Sequence, residues 1–207
     1  MFKSEAMRGV EQGGEVRGRR GEGELLLRHA DGDPKAFGEL IALYRRPVYG
    51  YLIRCGIAPR YRDDLFQEIF LKVHAAAAGF QPERPLKAWL FTVVANTVRS
   101  HFRKRAVFRR FFKGNETETA ADAAPDAFAS ASARESARCI DEALARLPIA
   151  QKQVLLLSTL ADMEQKDIAQ VLGLPLNTVK SHLRRSRLAL ARMLAKHHTR
   201  GNKEVIQ

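Results

Sequence analysis

A chain of 207 residues with 35 lysines and arginines against 23 aspartates and glutamates carries a formal charge of +12. That length allows one or two ordinary domains and excludes a large multidomain machine. With 45% hydrophobic residues and a mean hydropathy of −0.29, the composition is that of a soluble globular protein with some disordered parts, and no run approaches the ~18 apolar residues of a membrane span. Cys55 and Cys139 belong to no CxxC pair, which leaves no disulfide framework or thiolate zinc site and makes a reducing cytoplasm the expected compartment.

Residues 1–23 interleave glycines with Arg and Glu and lack an apolar core segment. They are expected to be a disordered arm, neither signal peptide nor anchor. The turn Asp31-Gly32-Asp33-Pro34 then offers an N-cap and an N1 proline for a helix to about Cys55, along which Phe37, Leu40, Ile41, Tyr44, Val48, Tyr51 and Leu52 recur at helical spacing. Gly56 and Pro59 end it. A second helix, about Tyr61 to Ala78, repeats the pattern with Leu65, Phe66, Ile69, Phe70 and Val73, and Gly79 is placed as its C-cap.

After the proline-punctuated loop Phe80 to Pro85, a third helix is predicted from about Leu86 to Arg105. Its apolar positions Trp89, Leu90, Val93, Val94 and Val98 leave Thr92, Asn96, Arg99 and Arg103 as a polar, cationic stripe on another face. The basic and aromatic run Phe108 to Lys113 follows. Residues 114–134 are rich in Ala, Ser and Thr, carry Glu116, Glu118, Asp122 and Asp126, and read as a flexible acidic linker. Four further helices are predicted at about Glu135 to Arg146, Ile149 to Leu160, Glu164 to Leu172 and Asn177 to His197, with no period-two strand pattern anywhere. The expected architecture is all-α: one helical domain over 24–113 and a second over 135–198, followed by a tail over 199–207.

The sharpest local signal runs from Glu164 to Arg185. A short helix with small Ala169 facing its partner, a glycine turn at Gly173, and a second helix with Val179 and Leu183 pointing inward is the helix-turn-helix pattern. Asn177 stands at the start of that second helix, with Thr178, Lys180, Ser181, Arg184, Arg185 and Arg187 beyond it. Of these, Thr178, Lys180, Ser181, Arg184 and Arg185 are placed on the exposed side, where hydroxyls and Lys suit phosphates and Arg suits guanine. An ordinary hairpin with a solvated basic face also fits a lone pattern of this kind. The charge distribution weighs against it, because no acidic residue lies between Asp167 and Glu204, and a one-signed helix repels itself unless its partner is a polyanion.

The second block is Asp63-Asp64-Leu65-Phe66-Gln67-Glu68 followed by Leu86-Lys87-Ala88-Trp89-Leu90 and onward to Ala95-Asn96. Acidic residues at a helix start and aromatic core packing account for much of it. They account less well for Asn96, a poor helix former placed mid-helix in line with Arg99 and Arg103.

Taken in this order, the two blocks resemble bacterial RNA polymerase sigma factors of the extracytoplasmic-function group, which keep the second and fourth conserved regions of the larger sigma-70 family. The resemblance covers about Glu24 to Lys113 and Glu135 to Ala195. It implies that Asp64, Leu65, Gln67 and Glu68 grip the clamp helices of the polymerase β′ subunit. The loop from Phe80 to Lys87, together with Asn96, would capture a base flipped from the minus-ten element, with Arg99, Arg103, Lys104 and Arg105 on adjacent phosphates. Asn177, Thr178, Lys180, Ser181, Arg184, Arg185 and Arg187 would read the minus-thirty-five element. Core polymerase (β′ clamp helices and β flap), promoter DNA and an anti-sigma protein are the implied partners, with a monomer when free and no cofactor or metal. Relatives often carry an acidic residue where this chain has Ser100, and Pro82 and Pro85 stiffen the capture loop.

No nucleophile elbow, Walker loop, HExxH or free carboxylate pair is present, and adjacent His197 and His198 make a poor metal site, so an enzyme is not expected. A conventional regulator with a sensor domain would have no reason to contain the block from Asp64 to Asn96. A generic RNA-binding protein would explain the charge but not the motif order.

Overall fold

The computed structural model describes residues 22–111 and 131–204. Every regular element among them is helical. A short helix α1 covers 22–30. It is followed by α2 (Ala36–Cys55), α3 (Pro59–Ala76), a 3-10 turn (Ala77–Gly79), α4 (Leu86–Phe111), α5 (Ala131–Ala145), α6 (Ile149–Thr159), α7 (Gln165–Leu172) and α8 (Leu176–Glu204). The expected all-α fold is the one observed. Residues 1–21, 112–130 and 205–207, which include most of the predicted arm (1–23) and linker (114–134), lie outside the described chain; of the remainder, 22–23 belong to α1, 131–134 to α5, and 199–204 of the predicted tail to α8.

The apolar periodicity of α2 and α3 does what amphipathic spacing dictates. Leu40, Tyr44, Val48, Tyr51 and Leu52 of α2 and Leu65, Ile69, Phe70 and Val73 of α3 are buried against one another, each contributing about 2 kcal/mol of apolar burial. Gly56 stops α2 with φ 89°, a left-handed conformation that a Cβ disfavours.

Three local expectations are corrected. Helix α2 starts at Ala36, not at Pro34; Asp33 still contacts its first turn, its carboxylate accepting the Lys35 N–H at 2.9 Å while it pairs with Arg28 of α1 at 2.5 Å. Gly79 is not a left-handed cap. The chain tightens there into the 3-10 turn, and the Phe80 N–H donates to the Ala77 carbonyl at 3.0 Å. Helix α4 runs past Arg105 to Phe111.

Helix α1 was not foreseen. It is held by Leu26, which is wholly buried, and by the Tyr44 hydroxyl, which donates to Glu22 at 2.7 Å. A nine-residue segment is marginal as an isolated helix, so its stability comes from this docking.

The two groups of helices pack on each other. Helix α4 lies against α7, and α2 lies against α5 and α6, and the buried apolar side chains of both groups form one continuous cluster. Polar side chains cross the seam to main-chain acceptors. Gln153 Nε2 donates to the Ala95 carbonyl at 3.2 Å, and Lys152 Nζ reaches the Cys55 carbonyl at 3.5 Å. Lys152 is 6% exposed, and that burial lowers its proton affinity. Burial also pushes the Cys55 thiol up to about 12. An ammonium buried against a carbonyl, without a carboxylate, costs more desolvation than the contact returns.

Lys152→Met is therefore expected to raise the thermal unfolding midpoint at neutral pH. The lysine's folded pKa lies below its ordinary value of 10.5. Its cost is in full force below the folded pKa and fades as pH rises toward the unfolded value. The gap between variant and wild type in melts followed by circular dichroism should narrow along that alkaline limb, and a variant that melts lower at neutral pH would show that the ammonium contributes stability.

Candidate nucleic-acid interface

The turn between α7 and α8 is built from its glycine outward. Gly173 ends α7 with φ 63°, its N–H bonded to the Gln170 carbonyl at 3.2 Å, and the Leu174 N–H closes on Ala169 at 2.9 Å. Ile168, Val171 and Leu172 face the core from α7, and Val179 and Leu183 face it from α8. Ser186, wholly buried, donates its hydroxyl to the His182 carbonyl at 2.8 Å and lies 3.2 Å from the Gln151 carbonyl of α6. With that side committed, α8 presents Asn177, Lys180, Ser181, Arg184, Arg185 and Arg187 to solvent, while Thr178 is half-buried. The structure thus brings the predicted minus-thirty-five residues together on one side of one helix.

Helix α4 is divided the same way. Leu90, Phe91, Val94, Ala95 and Val98 are wholly buried, and Phe91 meets Tyr51 of α2 edge-on at 5.8 Å. Opposite them, Asn96, Arg99 and Arg103 are exposed and border a cleft of about 620 Å³ shared with Lys72 of α3. The Arg99 guanidinium donates to the Asn96 side-chain oxygen and to the Leu172 carbonyl at 3.2 Å, tying this face to the end of α7. Lys72 was not singled out from sequence. It enters the site because α3 packs on α4, where its ammonium bonds Glu68 at 2.5 Å and the Thr97 hydroxyl at 3.1 Å.

Other expected site residues are placed elsewhere. Phe80 is 6% exposed, with its ring edge-on to Trp89 at 5.4 Å and close beneath Gly23 of α1. It is a core residue here, since α1 covers the position a stacking ring would need open. Leu65 is likewise 5% exposed and belongs to the core, because its position on α3 falls in the Ile69 stripe. Arg105 is turned from the Asn96 face, its guanidinium over the Tyr61 ring at 5.0 Å. Lys104 is exposed and Lys87 half-buried. On α3, Asp64 and Gln67 are exposed, Glu68 is paired with Lys72, and Asp63 accepts the Tyr49 hydroxyl. Among the described residues no group of three or more His, Cys, Asp or Glu side chains could hold a metal. None of the helices searched among those residues is long and apolar enough to cross a membrane.

A helix-turn-helix with a one-signed outer face, beside a helical bundle with a cationic cleft, defines a two-part DNA-binding protein. Residues 40–108 match the family model Sigma-70 region 2, and residues 137–190 match Sigma-70, region 4. The chain belongs to the extracytoplasmic-function group of RNA polymerase sigma factors. It is 30% identical to the RNA polymerase sigma factor CnrH of Cupriavidus metallidurans, over 82% of this chain and 92% of that one. It is 29% identical to the sigma factor SigM of Mycobacterium tuberculosis, over 84% and 85%. Among solved structures it resembles the sigma factor RpoE in complex with the anti-sigma factor NepR from Bartonella quintana, at 25% identity and a TM-score of 0.70 over 78% of this chain and 98% of that one. It also resembles CnrH in complex with the cytosolic domain of CnrY, at 27% identity and a TM-score of 0.64 over 84% and 97%.

The left-handed turn allows a direct test of how α8 is aimed. A Cβ at Gly173 would meet no atom within 4 Å, so Gly173→Ala carries only the conformational cost, about 1 kcal/mol. Its expected result is a melting midpoint lower by about 2–4 °C, the shift that this free energy produces in a chain of this size, with helix content retained, measured by circular dichroism.

Proposed function

We propose that this sigma factor binds core polymerase through α3, reads the minus-thirty-five element with α8, and holds the melted minus-ten strand along α4. The single observation that carries this is the one-signed charge of the two exposed reading faces. Helix α4 contains no acidic residue from Leu86 to Phe111, and α8 contains none before Glu204. Such faces bind phosphate with counterion release, and Arg184 and Arg185 have the bidentate geometry for guanine edges in a major groove. On α4, Asn96 supplies a hydrogen-bonding amide and Arg99 and Arg103 supply cations, the groups that a flipped base and its flanking phosphates require. With Phe80 inside the core, the capture site is assigned to Asn96 and the exposed loop residues 81–85.

The polymerase contact is assigned to Asp64 and Gln67, the two exposed members of the expected set, with Glu68 shared with Lys72. Because one structural neighbour is a sigma factor in complex with the anti-sigma factor NepR and another is CnrH in complex with the cytosolic domain of CnrY, capture by an inhibitor protein is part of the proposal. A free sigma factor competes for core by mass action, and sequestration is the simple means to silence it.

Run-off transcription with bacterial core polymerase on native genomic fragments tests the whole. Discrete starts that share two upstream elements, absent with core alone, are expected; binding to duplex operators without any start would favour a conventional regulator. Arg184→Ala with Arg185→Ala should cut promoter-specific product at least about tenfold, the loss of one good base contact, while core affinity stays intact. Asp64→Ala with Gln67→Ala should weaken core binding with an unchanged circular dichroism spectrum, and an unaltered affinity would remove α3 from the polymerase interface.

A further inference from the structure

Helix α4 outruns the core it packs into. Val98 is its last wholly buried residue, yet the helix continues to Phe111, and Val107, Phe108 and Phe111 are 48%, 61% and 79% exposed. Large apolar side chains this exposed near the end of a helix mark a contact surface. We propose that these last turns form a stacking site for unpaired DNA, with Phe111 as its platform and Arg103 and Arg110 as its phosphate contacts. This extends the strand path proposed above and rests on that assignment of α4.

The register of the helix supports the placement. At 100° per residue, Asn96, Ser100, Arg103, Val107, Arg110 and Phe111 fall within about 60° either side of one line along α4. Phe108 flanks that line beside Lys104. A strand held at Asn96 and running along the cationic face therefore meets Phe111 without crossing the helix. At a rise of 1.5 Å per residue the two lie about 23 Å apart, which about seven nucleotides cover where the unpaired strand keeps the stacked spacing of 3.4 Å.

The chemistry selects the occupant. An aromatic face beside guanidinium groups, on a helix with no carboxylate, is the combination that binds single strands without sequence preference: bases stack on the ring and phosphates pair with the cations. Duplex DNA offers phosphates but no open base face to a ring. Only the unpaired strand uses both halves of this surface.

The test is equilibrium binding of the full chain to labelled single-stranded oligonucleotides carrying the minus-ten sequence, one of about five nucleotides and one of about twelve, chosen to stop short of or reach Phe111. Phe111→Ala should weaken the longer strand at least about fivefold, the low end for one lost stacking contact. It should leave the shorter strand and the slope of affinity against salt unchanged, and Phe111→Trp should restore the loss. Arg103→Ala should weaken the longer strand and lower its salt slope by about one. An unchanged long-strand affinity in Phe111→Ala overturns the stacking site. So does an equal loss on duplex of the same sequence, or a loss confined to anionic phosphatidylserine vesicles. If Arg103→Ala alone loses affinity, the stacking site fails and the α4 strand path survives. If strand binding is indifferent to Arg103→Ala, to Asn96→Ala and to Phe111→Ala alike, the path itself fails.

Discussion

Everything presented by this protein depends on the burial of one face of α4. Leu90, Phe91, Val94, Ala95 and Val98 have no contact with solvent, and their apolar area, about 2 kcal/mol for each large side chain, holds a helix whose ionised side chains are all cationic. Like charges three and four residues apart destabilise an isolated helix. Here Arg99, Arg103 and Arg110 are displayed in a row because the opposite side is committed to the core. Rotating α4 by half a turn would bury the cations and expose Phe91, and the cost of burying unpaired charge forbids it. The orientation of the cationic face is thus a by-product of packing.

Helix α8 obeys the same constraint with different parts. Val179 and Leu183 supply the apolar contact, Ser186 adds a buried hydroxyl bonded to the main chain, and Gly173 sets the angle at which the helix leaves the turn. Helices α4 and α8 differ in what lies across from them. The outer face of α8 is open, whereas Arg99 on α4 is bonded to the Leu172 carbonyl at the end of α7. The seam between the two halves is one continuous apolar cluster, crossed by three donors to main-chain carbonyls: the Gln153 amide, the Lys152 ammonium and the Arg99 guanidinium. On the proposed strand path, DNA would exchange the Arg99 bond to a carbonyl for one to a phosphate, in which both partners are charged.

The placements of Phe80 and Lys72 depend on neighbours from distant parts of the chain, whereas those of Leu65 and Arg105 follow from the helical period itself. Phe80 looks like a loop aromatic until α1 folds over it, and α1 itself has three consecutive leucines, Leu25 to Leu27, with no amphipathic period to announce it. Leu65 lies within a polar motif, yet its place in the Ile69 stripe sends it inward. Arg105 follows Arg103 and Lys104 in sequence but sits across the helix from Asn96, where Tyr61 collects it. Lys72 was passed over for the opposite reason, since only the packing of α3 on α4 carries it to the cleft.

What the sequence determined by itself was local and periodic: helices α2 to α8, the glycine turns at Gly56 and Gly173, the inward set of the helix-turn-helix, and the one-signed charge of the exposed faces of α4 and α8. These follow from spacings of three and four residues and from the backbone freedom of glycine, which act within a few turns of chain. The tertiary structure alone decided that α1 exists and that the two halves dock through Gln153, Lys152 and Arg99. It also decided which members of each motif reach the surface. Those outcomes depend on burial and on main-chain acceptors contributed by residues far apart in sequence, and no local pattern encodes which distant surface will cover a given side chain.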